Sequence, residues 1–139
     1  MSGRGLEVHE WNEVGYRPLV FSHDWMASIL NWEPIFDFEK VGEVERHNQT
    51  DEVFVLTKGK AVLFTIDEQG MQVEEMKIGV IYNVLKGVWH NLTSTRDASW
   101  IIVENRDTHL HDCEFRQLSA EEMSHLKANL PAWIIGTTP

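Results

Sequence analysis

A chain of 139 residues with 42% apolar side chains fits one globular domain, residues 1–139, with a real core. Twelve basic residues against 22 acidic ones leave a formal charge of −10, which opposes both nucleic-acid phosphates and an anionic membrane surface as partners. No apolar run nears the roughly 20 residues that cross a bilayer. The N-terminal MSGRGLEVHEW has no hydrophobic signal core, and Cys113 is the only cysteine, so a cytoplasmic protein without internal disulfides is expected.

Along the chain, Leu19–Phe21 and Trp25–Trp32 come first. Both read as strands that extend one sheet or cross to a partner subunit, although Trp25, Ser28, Ile29 and Trp32 would equally share one face of a helix. Short runs rich in β-branched and aromatic residues follow: Glu52–Thr57, Ala61–Ile66, Val80–Val84 and Ser99–Glu104. Lys58-Gly59-Lys60 is a hairpin-type connection, and Asp67-Glu68-Gln69-Gly70 is a turn before Met71–Ile78. Such spacing predicts an antiparallel sandwich or barrel. Near the C-terminus, Ser119-Ala120-Glu121-Glu122 is a capping box opening a short helix to about Asn129. Pro131 ends it, and the apolar tail Ala132–Ile135 needs cover.

Chemistry concentrates in ERHNQTDEVFVLTKG, Glu45 to Gly59, and in GVIYNVLKGVWHN, Gly79 to Asn91. Glu45 and His47 are two apart, so on a strand they project from one face, and the NQTD turn brings Glu52 toward them. His90 has to arrive from another strand. Two histidines with one or two carboxylates and no thiolate suit a divalent first-row ion: Mn, Fe, Co, Ni or Zn. Such a set keeps open positions for water or substrate.

These two segments resemble the paired motifs of the cupin superfamily. Glu52 and Gly59 are separated by the six residues of the first motif, and His47 takes its second histidine position. Glu45 stands where the first histidine is usual. Gly79, Gly87 and His90 reproduce the spacing of the second motif, with Leu85 in place of proline. The resemblance covers about residues 40–105 and implies an all-β double-stranded β-helix, or jelly-roll, with a short C-terminal helix and a central metal. It implies His47, Glu52 and His90 as ligands. Glu45 is then a fourth ligand, a free base beside a three-ligand site, or part of a site that has lost its metal. Small cupins commonly pair, so a homodimer is expected, with the Trp-rich N-terminal third offering apolar surface.

Other residues invite simpler readings. His109-Leu110-His111 lies in a polar stretch and reads as surface, while His9, His23 and His125 have no partner pattern and read as surface or half-buried residues. Cys113, flanked by Asp112 and Glu114, has a poor setting for a thiolate. Trp89 precedes His90 and is a candidate pocket wall, as is Trp100; the remaining tryptophans read as core filler. Lys86, Arg46 and Arg106 read as solvated strand ends. Glycine-rich phosphate loops and a Gly-x-Ser-x-Gly elbow are absent from the sequence. The expected function is a metal-dependent isomerase or lyase acting on a small polar metabolite such as a sugar or hydroxy acid, with Glu45 or Glu52 shuttling a proton. The alternatives are a non-catalytic small-molecule-binding cupin and, last, a surface-interaction protein with a vestigial pocket.

Overall fold

The computed structural model describes residues 5–136. Its strands are β1 (Gly15–Ser22), β2 (Trp25–Asn31), β3 (Glu43–Arg46), β4 (Glu52–Lys58), β5 (Ala61–Asp67), β6 (Gly70–Glu75), β7 (Ile81–Val84), β8 (Trp89–Ser94), β9 (Ser99–Asn105) and β10 (Glu114–Gln117). Three short helices follow β9: α1 (Thr108–His111), α2 (Ala120–Ala128) and α3 (Ala132–Gly136). The strands form two five-stranded sheets, in the orders β1-β2-β9-β4-β7 and β10-β3-β8-β5-β6. Each pairing is antiparallel. This is the all-β jelly-roll arrangement. No described helix is long and apolar enough to cross a membrane.

Strand period decides which side chains face the interior. On β4, Phe54 and Leu56 turn inward; on β9, Trp100 and Ile102 do so; both pairs join Phe36, Leu63 and Leu92 in one cluster between the sheets. β5 is buried at Ala61, Val62, Leu63 and Phe64 in succession, because both its faces are covered. Leu63 serves the inter-sheet core, while Phe64 and Ile66 pack with Val41, Val44 and Leu126 in a second cluster. Leu126 belongs to α2, so the helix is what covers this face of the second sheet.

The capping box forms as read. The Ser119 hydroxyl accepts from Glu122 N–H at 3.1 Å, and the Glu122 carboxylate accepts from Ser119 N–H at 2.8 Å. Arg116 on β10 donates to both Glu122 oxygens at 2.8 and 2.9 Å, fixing α2 to the neighbouring strand. The apolar tail finds its cover, since Ile134 on α3 is buried. The N-terminal segments are strands: β2 pairs with β9 over its whole length. His109-Leu110-His111 departs from the loop reading and forms a single helical turn.

Gly59 shows why its position demands glycine. Its φ is +78°, and an added Cβ would lie 2.8 Å from the backbone of Ala98. The β4–β5 turn thus packs directly against the segment that opens β9.

Candidate metal centre

Glu45, His47, Glu52 and His90 converge at the inner face of the sandwich, with one ligand atom from each lying within 4.8 Å of all the others. Glu45 sits on β3 and His47 just beyond its end; being two apart, they face the same way. Glu52 opens β4, at the first inward position of the run that continues with Phe54 and Leu56. His90 lies on β8 as the register partner of Glu45.

Both histidine rings are held by backbone oxygens. His47 Nδ1 lies 2.8 Å from the Asp112 carbonyl, and His90 Nδ1 lies 3.1 Å from that of Val88. Carbonyls only accept, so each Nδ1 carries its proton. Each Nε2 then faces Glu52 Oε1, at 2.9 Å in both cases. In the neutral tautomers these are two nitrogen lone pairs aimed at one carboxylate oxygen. Such an arrangement calls for positive charge between them, supplied by a second ring proton or by a metal ion.

Burial and the cluster's charges act together on every titrating group. Burial works against charged His47, yet the hydrogen bond and charge of Glu52 raise it well above an ordinary histidine. His90 shifts upward by the same balance. Burial likewise opposes ionised Glu52, but the hydrogen bonds from the two histidines hold its carboxyl low. Glu45 is pushed up by burial and by the charge of Glu52. A metal-free site therefore stores protons on its histidines, and a bound ion would displace them.

Two functional-type residues lie beside the cluster without having been singled out in the sequence. Glu104, on β9, has its Oε2 3.8 Å from His47 Nε2. Its Oε1 accepts from the Tyr16 hydroxyl at 2.8 Å, which in turn accepts from Ser28 at 2.9 Å. Burial and Glu52 push Glu104 up to about 8, while burial and Glu104 push the Tyr16 hydroxyl far above its usual value. The signal for Glu104 was its place in the SWIIVE alternation, where Trp100, Ile102 and Glu104 share the inward face. Tyr16 gave no such signal.

Asp112 was passed over as loop. Its carboxylate accepts from Asn48 N–H and Gln49 N–H at 3.0 and 2.9 Å, while its carbonyl orients His47. Cys113 lines the cavity, its thiol 3.5 Å from His47 Nδ1. Burial and the charges of Glu45 and Glu104 push it up to about 12, so it stays a thiol at neutral pH.

The cavity in front of the cluster measures about 250 Å³ and is walled by Phe36, Phe54, Ile102 and Phe115 among others. His109, read as a surface residue, lines it and meets Tyr16 edge-on, with ring centroids 5.6 Å apart. Trp89, expected there, turns the opposite way. It neighbours inward-facing His90 and so points out of the sandwich, under the guanidinium groups of Arg46 and Arg116 at 4.4 and 5.1 Å. Trp100 is fully buried in the inter-sheet core. His111 is exposed, and Arg46 pairs with Glu114 at 3.1 Å, outside the cavity. An open groove of about 620 Å³ near Trp11 and Trp32 contains none of the cluster.

No protein-family model and no curated protein matches the sequence. Solved structures do match. A cupin-2 domain protein from Shewanella frigidimarina is similar with 25% identity and a TM-score of 0.53, over 69% of this chain and 85% of that one. A cupin-like protein from Thermotoga maritima gives a TM-score of 0.54 with 18% identity, over 80% and 82%. The chain is a member of the cupin superfamily. The same fold is shared with KdgF from Halomonas sp., at 14% identity and a TM-score of 0.53 over 73% and 92% of the two chains. In this cupin, both motif glycines of the second segment, Gly79 and Gly87, adopt positive φ, at 82° and 80°. The turns flanking β7 thus use the conformation glycine permits.

Proposed function

We propose that this cupin is a metalloenzyme, a single domain holding a divalent first-row ion through His47, Glu52 and His90, with Glu45 completing the donor set. The observation that carries this reading is the pair of Nε2 atoms, each 2.9 Å from the same Glu52 oxygen, with each Nδ1 fixed on a carbonyl. When bound, such an ion polarises a carbonyl or hydroxyl oxygen as a Lewis acid. The chain's own residues do the rest. Glu45, one-third exposed at its side chain and 4.0 Å from His90, is the carboxylate with access to a substrate proton. The aromatic and aliphatic walls exclude water from the bound molecule. Isomerisation or elimination on a small polar metabolite such as a sugar or hydroxy acid is the chemistry these parts suit.

A second reading has its own support. Protons on both histidines would satisfy the same contacts to Glu52, leaving a metal-free small-molecule-binding cupin. Elemental analysis of protein purified without added metal separates the two. Near-stoichiometric metal, lost in His90→Ala, is the expected result. A metal-free protein that takes up no Mn, Fe, Co, Ni or Zn on titration supports the second reading and ends the first.

The outer face of the first sheet supports a homodimer. Ile29, Ile101, Val55 and Ile81 are successive register partners across β2, β9, β4 and β7. Ile81 is 70% exposed and Ile101 41%. An open antiparallel face is ordinarily polar, so an apolar row across four strands suits a second copy of the chain.

A further inference from the structure

His47 and His90 aim Nε2 at the same Glu52 oxygen, but their far sides are held differently. His90 Nδ1 rests on the carbonyl of Val88, two residues away in its own segment, so the chain that places the ring also places its acceptor. His47 Nδ1 rests on the carbonyl of Asp112, 65 residues along the chain and just past the single turn of α1. One isolated helical turn is too short to fix that oxygen by itself. β10 pairs with β3 only as far as Glu114 opposite Arg46, so the ladder stops short of both His47 and Asp112. From there the side chain of Asp112 takes over. It is buried, and its two carboxylate oxygens accept separately from Asn48 N–H at 3.0 Å and Gln49 N–H at 2.9 Å. Hydrogen bonds to a carboxylate are the stronger, charge-assisted kind. Asp112 thus closes on three consecutive residues, His47 to Gln49, at the start of the turn that leads to Glu52. Other ties hold this turn without orienting the imidazole. Gly87 N–H donates to the His47 carbonyl at 2.6 Å, Asn105 N–H to the Thr50 hydroxyl at 3.2 Å, and Arg46 and Asn48 reach Glu114 at the surface. The Cys113 thiol lies 3.5 Å from His47 Nδ1, farther than the carbonyl, and its proton is directed at the Thr108 carbonyl.

We infer that Asp112, outside both sequence motifs and outside the donor set, is a positioning residue of the metal centre. Its carboxylate locks the His47–Gln49 turn against the segment before β10, and its carbonyl then holds the His47 ring with Nε2 turned to the ion. This role rests on the metalloenzyme reading and deepens it. A ligating imidazole is oriented through its other nitrogen, and loss of such a partner weakens metal binding by roughly 10- to 100-fold. The same clasp bears on the cavity wall, because His109 and Cys113 line it from the segment that Asp112 anchors.

The test compares the full-length natural chain with Asp112→Asn and Asp112→Ala, by competition for zinc with a coloured chelator and by NMR of the imidazole nitrogens. Asp112→Asn keeps one acceptor oxygen and should weaken zinc severalfold, whereas Asp112→Ala keeps none and should weaken it by about 30-fold. In Asp112→Ala the Nδ1 proton of His47 should exchange with water about tenfold faster or more, while that of His90, on Val88, exchanges as in the natural chain. General loosening of the fold would free both protons alike, so the contrast within one molecule reports positioning. Zinc affinity in Asp112→Ala within about twofold of the natural chain overturns the inference. So do two Nδ1 protons that are freed together. If Asp112→Ala does not fold, Asp112→Asn carries the same comparison, with unchanged zinc affinity as the overturning result. A natural chain that takes up no zinc removes the metal reading itself, and the contrast between His47 and His90 in zinc-free protein then decides the role of Asp112.

Discussion

Glu45 and His90 face each other directly across the β3–β8 pair, with Glu45 Oε1 4.0 Å from His90 Nε2. The carboxylate that stands at the first-histidine position of the motif in sequence therefore faces the cluster. It is held less tightly than its neighbours, since no hydrogen bond ties it to either histidine, whereas Glu52 receives one from each.

That difference predicts unequal consequences of substitution. Glu45→Gln should retain metal with affinity lowered about tenfold, and Glu52→Gln should lose most of it. Competition with a coloured chelator measures both. Equal losses in the two variants would show that Glu45 is as firmly bound a ligand as Glu52.

The protonation of the metal-free site gives a stability signature. His47 moves from 6.5 to about 9 in the folded chain, so its contribution is fully present below 6.5 and is lost as pH rises through about 9. His90 shifts in the same direction and adds to that loss. Glu52 behaves oppositely: its contribution is present above 4.5 and lost as pH falls toward 2. In metal-loaded protein the Nε2 atoms carry no protons, so the alkaline loss should vanish. Thermal unfolding between pH 6.5 and 9, with chelator and with zinc, is the check. Parallel profiles for the two forms would count against metal and proton sharing this site.

Much of this architecture was legible in the chain, and the limits are physical. The short β-branched and aromatic runs located β4, β5, β7 and β9 to within a residue or so at each end, because β4 and β9 alternate against a core and β5 is apolar on both covered faces. The 52–59 spacing was readable because Gly59 is bound to a turn whose contact with Ala98 admits no side chain. Trp89 was misplaced through proximity in sequence to His90, although adjacent strand residues necessarily face apart. Glu104 and Tyr16 meet only through the β1-β2-β9 strand order, which joins side chains 88 residues apart and which no local pattern carries. His109 enters the cavity wall through a one-turn helix too short to leave a periodic trace.

Gly59 offers a test of the fold that leaves the metal residues untouched. Alanine there must hold φ near +78° and place its Cβ 2.8 Å from the Ala98 backbone. The left-handed conformation alone costs ~1–2 kcal/mol, and displacing backbone adds to it. Gly59→Ala is expected to destabilise by about 2–4 kcal/mol in chemical denaturation. Gly79→Ala, with a matching φ of +82° but nothing within 4 Å of the added Cβ, isolates the conformational part and should cost less. Equal costs at the two positions would show that the turn does not rely on its close approach to β9.

The apolar row on the first sheet predicts how the molecule associates. Ile101 and Ile81 are its most exposed members, on β9 and β7, separated by Val55 of β4. Lysine at both positions places two like charges on any two-fold contact formed by this face, at little cost to the monomer because neither side chain supports the core clusters. Sedimentation at micromolar concentration should give a dimer for the natural chain and a monomer for Ile81→Lys/Ile101→Lys. The metal cluster lies on the inner side of the sandwich, so metal content should be unchanged in that variant. A natural chain that sediments as a monomer would remove the dimer proposal. A doubly substituted chain that remains dimeric would move the contact to another face, with the half-exposed Phe21 and Trp25 of β1 and β2 the next surface to alter.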